Sequence, residues 1–306
     1  MTITVARPVD LRDPVWARSV LAEAARALET TVDPSTAVAK RRSLGALSAR
    51  GTWVRVEARP LSRVRAGHHG DRVETSRALD GVARPRWRRG ASWRDAEVAM
   101  LWRVDETDAV AATPIKPGGT LTSEPVLAQS WWRTLNASLD ALAAHRPRDP
   151  RWLGELPAAT LEGAALTQER ISRTLHDVFP QLRDTSINEW CAVHADLNWA
   201  NLTAPECWIL DWEDWGSGPR GFDAATLWVA SLATPRLAAR VRRERAADLA
   251  SREGTLSALF LCAQLIAAGD DYAGPLARPV AAQAQRLLAA LQPDAAGGVK
   301  VLSRAR

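Results

Sequence analysis

A strict alternation of polar and apolar residues predicts the clearest strand in the first third of the chain. In residues 52–58 (TWVRVEA), the polar Arg55 and Glu57 alternate with valine and alanine at the even positions. A period of two is typical of a strand with one buried face. Gly51 lies in the short break before this strand, so we expect residues 36–47 and 52–58 to form a hairpin.

Helical periodicity and further short strands account for the rest of the N-terminal region. The predicted elements are a helix over 13–29, a second helix over 71–82, and strands over 96–104 and 108–115. The first helix has Asp13-Pro14 as its start, a typical N-terminal pair. We therefore interpret residues 1–115 as a small β-rich lobe with one inserted helix.

The pattern changes after PIKPGG at 114–119, a stretch of proline and glycine that we interpret as a hinge. The elements predicted beyond it are helices over 131–145, 158–178, 237–252, 255–268 and 280–291, with strands in the apolar runs at 190–193 and 207–210. The expected fold class is α+β and bilobed, with a small antiparallel-sheet N-lobe (1–115) and a larger, mainly helical C-lobe (116–306). A cleft between two lobes is a natural ligand site.

Composition places the chain among ordinary globular proteins. Its 306 residues are 46% hydrophobic and 25% charged, which excludes disorder as the overall state. The net charge is +5, from 40 Lys+Arg against 35 Asp+Glu, and nearly all the cations are arginines. Because the arginines are spread over the whole chain, they indicate a compositional bias, and we expect no nucleic-acid partner.

The cysteines and the lengths of the apolar runs indicate the cellular compartment in which the protein is expected. Cys191, Cys207 and Cys262 are odd in number and form no CxxC pair, so neither a disulfide framework nor a structural zinc site is expected. No uncharged apolar run reaches the roughly 18 residues of a membrane span, and the first residues lack the hydrophobic region of a signal peptide. We expect a cytoplasmic protein without a membrane partner.

The stretch CAVHADLNWANLTAPECWILDWED carries the candidate chemistry. Asp196 is followed five residues later by Asn201, and Asp211 follows an apolar run ten residues after that. Phosphoryl transfer from ATP needs a carboxylate beside the attacking hydroxyl and oxygen ligands for Mg²⁺. The hypothesis is that Asp196 takes the proton of the nucleophile while Asn201 and Asp211 bind the metal.

HADLNWAN followed by ILDWED resembles the aminoglycoside phosphotransferase-like, or small-molecule kinase, family. The resemblance implies a protein-kinase-like fold, ATP and Mg²⁺ as cofactors, and a small-molecule hydroxyl as acceptor. It also implies that Asp196 is the catalytic base, that His194 braces the catalytic loop, and that Asp223 stabilises this loop from a helix start. The family often has glycine at Ala195 and histidine at Asn198, so the chain departs mildly from the pattern at both positions.

The same resemblance suggests nucleotide-binding residues in the N-lobe. Kinase-like folds place a cation on a central strand and an acid on the neighbouring helix, and Arg55 and Glu74 are the candidates here. The segment from Ser43 to Ser48, with its single glycine Gly45, is the candidate for covering the phosphates. Adenine would bond to the backbone near residues 113–116.

Two other functions stay open at this point. A metal-dependent hydrolase could use His194, Asp196 and Asp211, although Asn201 would then have no role. A non-catalytic nucleotide-binding pseudokinase or scaffold is the other alternative, because an arginine stands at the expected lysine position and no complete glycine-rich motif is present. Glu213 and Asp214 are either further metal or substrate contacts or solvated acids. The acceptor, the choice between ATP and GTP and the oligomeric state are left undetermined.

Overall fold

The structure, a computed structural model, describes residues 9–61, 72–145, 160–161 and 164–292. The chain divides into two compact units. The first comprises Met1–Thr113 together with Trp208–Glu213, and the second comprises Pro114–Cys207 and Asp214–Arg306. A short internal segment, far along the sequence, is thus part of the N-terminal unit.

The first unit is built on a five-stranded antiparallel sheet in the order β1-β2-β3-β5-β4. Its strands are β1 (Val38–Ala39), β2 (Ser43–Leu47), β3 (Thr52–Pro60), β4 (Trp87–Asp95) and β5 (Met100–Asp108), and its helices are α1 (Pro14–Ala27) and α2 (Arg72–Thr75). The hairpin of β2 and β3 confirms the prediction made from the alternating pattern.

The two faces of this sheet differ in chemistry. Val54 and Val56 of β3 lie with Trp102 and Val104 of β5 in a core that also includes buried residues of α1. Arg55, on the other face of β3, stands opposite Asp105 of β5 in the sheet register. One face therefore supplies apolar burial, and the other carries charges.

Three elements predicted for the first unit differ from the structure. The strands expected over 96–104 and 108–115 are instead β4 and β5, because the carboxylate of Asp95 accepts the N–H groups of Glu97 and Val98 and forms a turn where a strand was expected. The helix expected over 71–82 is the single turn α2 followed by a 3₁₀ turn at Ser76–Ala78. Residue 71 lies outside the described residues.

The second unit is mainly helical. Its helices are α3 (Gln129–Ala144), α4 (Gln168–Val178), α5 (Phe222–Ala230), α6 (Pro235–Glu244), α7 (Ala246–Ala250), α8 (Arg252–Ala268), α9 (Asp270–Ala273) and α10 (Ala277–Leu291). Short strands complete it: β6 (Thr113–Pro114, at the unit boundary), β7 (Thr160–Leu161), β8 (Ala164–Ala165), β9 (Trp190–Val193), β10 (Thr203–Ala204) and β11 (Gly216–Pro219). Helix α8 packs against α4, α5 and α10 and supplies much of the core.

Three predictions in the C-terminal half also need correction. The helix expected over 158–178 begins only at Gln168, after the cap Thr167, and residues 158–159 lie outside the described ranges. The helix expected over 237–252 is broken into α6 and α7, where the buried Arg245 pairs with Asp140 at 2.9 Å. The apolar run at 207–210 forms no strand of the structure, and β9 pairs with β11 instead.

Within the described ranges, no helix combines the length and the apolar character needed to cross a lipid bilayer.

Candidate active site

Asp196 lies in the loop after β9, and two asparagine amides hold its carboxylate. Asn198 donates from Nδ2 to Asp196 Oδ1 at 2.9 Å, and Asn201 donates from Nδ2 to Asp196 Oδ2 at 2.9 Å. Asn201 also donates to the carbonyl oxygen of Asp196 at 2.8 Å. The carboxylate is thus fixed in orientation while its residue stays partly exposed, as a group that receives a proton from a substrate must be.

The hydrogen bonds of Asn201 determine which of its side-chain atoms can bind a metal. Both of its partners on Asp196 are oxygens that only accept, so the amide nitrogen must face them. The amide oxygen is therefore turned away from Asp196. Oxygen is the donor that Mg²⁺ prefers, so Asn201 is oriented correctly for the predicted role.

His194 and Asp223 support this loop from within the second unit. The buried His194 accepts the N–H of Asp196 at Nδ1, at 3.3 Å. Asp223, in the first turn of α5, accepts the N–H groups of His194 at 2.7 Å and Ala195 at 3.0 Å. Burial raises the pKa of Asp223, and the interaction with His194 and the two N–H donors oppose this shift.

Ala195 adopts a left-handed backbone conformation, with φ = 70°. This explains why glycine suits the position, since residues with a Cβ atom are strained there. Alanine is the smallest of them and its methyl group is buried, which offsets part of that strain.

We expect Ala195→Val to lower the free energy of unfolding by about 2–3 kcal/mol, because a β-branched residue resists positive φ and the site is already packed. Ala195→Gly is the matched control and should stay within about 1 kcal/mol, since relief of strain offsets the lost methyl contact. Urea unfolding of the two variants and the wild type measures both values. A valine tolerated as well as glycine would contradict the backbone explanation.

Trp199, inside the loop, is a core residue. Its Nε1 donates to Ser231 Oγ at 2.9 Å, and its ring stacks on Trp131 with centroids 6.2 Å apart. Two residues of the segment predicted as a hinge also hold this loop, because the N–H groups of Ile115 and Lys116 donate to the carbonyls of Leu202 and Trp199 at 2.8 and 3.1 Å. These two N–H groups are therefore engaged within the second unit, and adenine binding near residues 113–116 stays a prediction.

Asp211 belongs to the first unit, where it meets Arg55. Its backbone is left-handed, with φ = 66°, and its Oδ1 lies 3.1 Å from Arg55 Nη2. Glu213 Oε2 accepts from Arg55 Nη1 at 2.7 Å. The guanidinium of Arg55 therefore partly neutralises the Asp211 carboxylate. The metal-binding role of Asp211 stays a prediction.

Burial and the charges around Arg55 shift the pKa values of Arg55 and of the neighbouring acids Glu57 and Glu213. Burial lowers the pKa of Arg55, but the charges of Asp211, Glu213 and Glu57 outweigh this effect and hold the pKa well above its usual value. Burial and the neighbouring charge of Glu213 raise the pKa of Glu57 to about 8. Burial also acts to raise the pKa of Glu213, yet Arg55 holds it below its usual range. The neighbouring acids Glu57 and Glu213 therefore shift in opposite directions, and Arg55 favours the ionised form of Glu213.

The other N-lobe candidates occupy different surroundings. Glu74 does not contact Arg55 in the described contacts; it lies 3.6 Å from Arg103 and 3.9 Å from Arg77. Ser43 and Gly45 are both paired residues of β2, and a Cβ atom on Gly45 would lie 2.2 Å from the Trp53 ring. The glycine is thus required by the packing of Trp53.

Sequence reasoning missed two contributors, Asn198 and the pairing of Glu213. Asn198 follows Asp196 by two residues, the spacing at which Asx side chains commonly form local hydrogen bonds, and this could have indicated its role. The contact of Glu213 with Arg55 joins residues 158 apart in sequence, so no local pattern could have indicated it.

Among the described residues, no three His, Cys, Asp or Glu side chains are grouped as metal ligands. The hydrolase hypothesis therefore gains no support from these residues. A magnesium site of the kinase type needs only one or two protein carboxylates, because phosphates and water complete its shell.

Residues 105–259, half of the chain, match the model of the phosphotransferase enzyme family, APH. The chain belongs to this family. A search among curated proteins finds no significant match. Two solved structures similar to this phosphotransferase are amicoumacin kinase hAmiN in complex with AMP-PNP, Ca²⁺ and Ami, and a thermostable mutant of aminoglycoside phosphotransferase APH(4)-Ia in a ternary complex with AMP-PNP and hygromycin B.

The amicoumacin kinase is 12% identical over 90% of this chain and 93% of its own, with a TM-score of 0.55. The APH(4)-Ia mutant is 17% identical over 91% of this chain and 99% of its own, also with a TM-score of 0.55. The likeness confirms the expected α+β, protein-kinase-like fold, with its antiparallel sheet and helical C-terminal part. The family match confirms that the protein is a phosphotransferase.

Proposed function

We propose that this phosphotransferase transfers the γ-phosphoryl group of ATP, with Mg²⁺, to a hydroxyl group of a small molecule. The observation that carries the proposal is the fixed carboxylate of Asp196, held by the amides of Asn198 and Asn201 at 2.9 Å each. The similar amicoumacin kinase binds AMP-PNP together with Ami, and the APH(4)-Ia mutant binds AMP-PNP together with hygromycin B, which supports the same class of substrates.

Asp196 is the proposed catalytic base. Its carboxylate orients the acceptor hydroxyl and receives the proton as the bond from the acceptor oxygen to the γ-phosphorus forms. The bond from that phosphorus to the β-γ bridging oxygen breaks, and ADP leaves. His194 is proposed to hold the loop through its bond to the Asp196 N–H, so its role is to position the base.

Asn201 and Asp211 are the proposed metal ligands, each through a side-chain oxygen. When bound, Mg²⁺ neutralises charge on the β- and γ-phosphate oxygens. Arg55 is proposed to add a further cation for the phosphates, since its guanidinium can form bidentate bonds with such oxygens. Ser43, Gly45 and Glu74 were predicted as nucleotide-binding residues, and their present neighbours give no support to that role.

The nucleotide part of the proposal is tested by thermal unfolding with and without Mg-ATP. Wild type at about 100 times its Kd should gain roughly 2.7 kcal/mol of stability, because only the folded state binds the ligand. We expect Asp211→Asn to show a smaller gain that depends less on Mg²⁺. Asparagine is chosen because it tolerates the positive φ of this position while removing the charge.

The exposed Asp271, in α9, supplies the matched control, Asp271→Asn, which should respond as wild type does. An equal gain in Asp211→Asn would remove Asp211 from the metal site, and no gain in wild type at millimolar Mg-ATP would contradict the nucleotide requirement. Binding without any phosphate transfer to a panel of hydroxyl compounds would favour the alternative, a non-catalytic nucleotide-binding protein.

A further inference from the structure

We infer that Glu213 is the positioning residue for Arg55, in the role that the family resemblance suggests for the helix residue Glu74. The inference rests on the proposed function, because the orientation of Arg55 matters to the reaction only if the protein binds a triphosphate.

The contact itself is close and sheltered. Arg55 Nη1 and Glu213 Oε2 are 2.7 Å apart, and the two side chains are only 26% and 22% exposed. A charge-assisted hydrogen bond at this distance is among the stronger polar contacts in proteins. By comparison, Glu57 lies 4.0 Å from Arg55 and accepts a 2.8 Å bond from Arg59, so it is the weaker partner.

Glu74, the acid on helix α2, contacts a different arginine. Glu74 lies 3.6 Å from Arg103 of β5, and Arg103 in turn donates to Asp105 Oδ1 at 2.6 Å. Helix α2, which carries Glu74, is a single turn. Glu74 therefore pairs with Arg103 of β5. Arg55 of β3 pairs instead with Asp211 and Glu213, which come later in the chain than Asp196.

The backbone after the apolar run makes this pairing possible. The left-handed conformation of Asp211, with φ = 66°, turns the chain so that Asp211 and Glu213 both reach one guanidinium, at 3.1 and 2.7 Å. They use different nitrogens of Arg55, Nη2 and Nη1. Asp211 is the proposed metal ligand, so Glu213 is the partner that can keep its contact with Arg55 in the nucleotide-bound enzyme.

The direction in which nucleotide affinity changes when Glu213 loses its charge distinguishes a positioning role from simple repulsion of the phosphates. Removing the charge of Glu213 takes one negative charge away from the phosphates, and by itself this would tighten nucleotide binding. If Glu213 orients Arg55, its loss instead lets the guanidinium turn towards Asp211, and binding weakens. The experiment is calorimetric titration of AMP-PNP in the presence of EDTA, with Glu213→Gln, Arg55→Lys and the double variant.

We expect Glu213→Gln to weaken metal-free AMP-PNP binding about tenfold, a change typical of groups that are directly coupled. In the Arg55→Lys background the same substitution should have less than a twofold effect, because lysine lacks the guanidinium fork that Glu213 holds. Glu74→Gln is the matched control, and its effect should be the same with Arg55 as with lysine at that position. Thermal unfolding confirms that each variant is folded.

Tighter binding by Glu213→Gln, or an equal loss in both backgrounds, would overturn the inference. An effect of Glu213→Gln that appears only when Mg²⁺ is present would also overturn it, because Glu213 would then act on the metal and not on Arg55. A wild type that binds no AMP-PNP with or without Mg²⁺ would instead refute the proposed function, and this inference with it.

Discussion

Asp196→Ala is expected to lower the turnover number by roughly 10²- to 10⁴-fold, the usual contribution of a positioned general base. The variant removes the one carboxylate that Asn198 and Asn201 fix between them. Nucleotide affinity should change little, because Asp196 is proposed to act on the acceptor and not on the triphosphate. ADP release with an acceptor found by screening measures turnover, and calorimetry with AMP-PNP measures the affinity.

The control for this variant has to separate catalysis from damage to the loop. Asn198→Ala removes one of the two amide donors to the carboxylate and leaves the carboxylate itself, so we expect a smaller loss than with Asp196→Ala. Unfolding curves show whether either variant disturbs the fold. An unchanged turnover number in a folded Asp196→Ala protein would exclude Asp196 as the base.

Part of the loop that carries Asp196 could be predicted from sequence because its contacts are local. The bonds that orient Asp196 come from residues two and five positions further on, so the spacing in the motif already contains the geometry. The support from Asp223 is 29 residues away, and only the resemblance to a family indicated it. The partner of Arg55 lies 158 residues away, and no spacing could have indicated it.

The same distinction explains which secondary-structure elements were predicted correctly. Polar and apolar residues alternate in strand β3 because one of its faces is buried in the core that includes α1. Its sequence therefore predicts a strand with one buried face. Strand β4 is rich in arginine and its faces are only partly buried, so hydrophobic periodicity gives it no signal. The break between α6 and α7 occurs at Arg245, whose pairing with Asp140 is a tertiary contact that helix propensity does not describe.

Asp223→Ala should produce the largest loss of stability among these variants. It leaves the N–H groups of His194 and Ala195 without their acceptor in a buried part of the second unit. Each buried donor left unsatisfied costs about 1–3 kcal/mol, so the free energy of unfolding should fall by about 2–6 kcal/mol. Turnover should fall as well, because the loop that carries Asp196 loses its support.

Asp223→Asn separates the hydrogen bonds from the shape of the side chain. Asparagine has almost the same volume, but its amide offers one oxygen acceptor where the carboxylate offers two, so we expect about half of the loss seen with alanine. The exposed Asp184 supplies the matched surface control, Asp184→Ala. Urea unfolding measures all three variants. If Asp223→Ala unfolds like Asp184→Ala, the two short bonds from Asp223 do not stabilise the protein. The loop that carries Asp196 must then be held by His194 and the packing of Trp199.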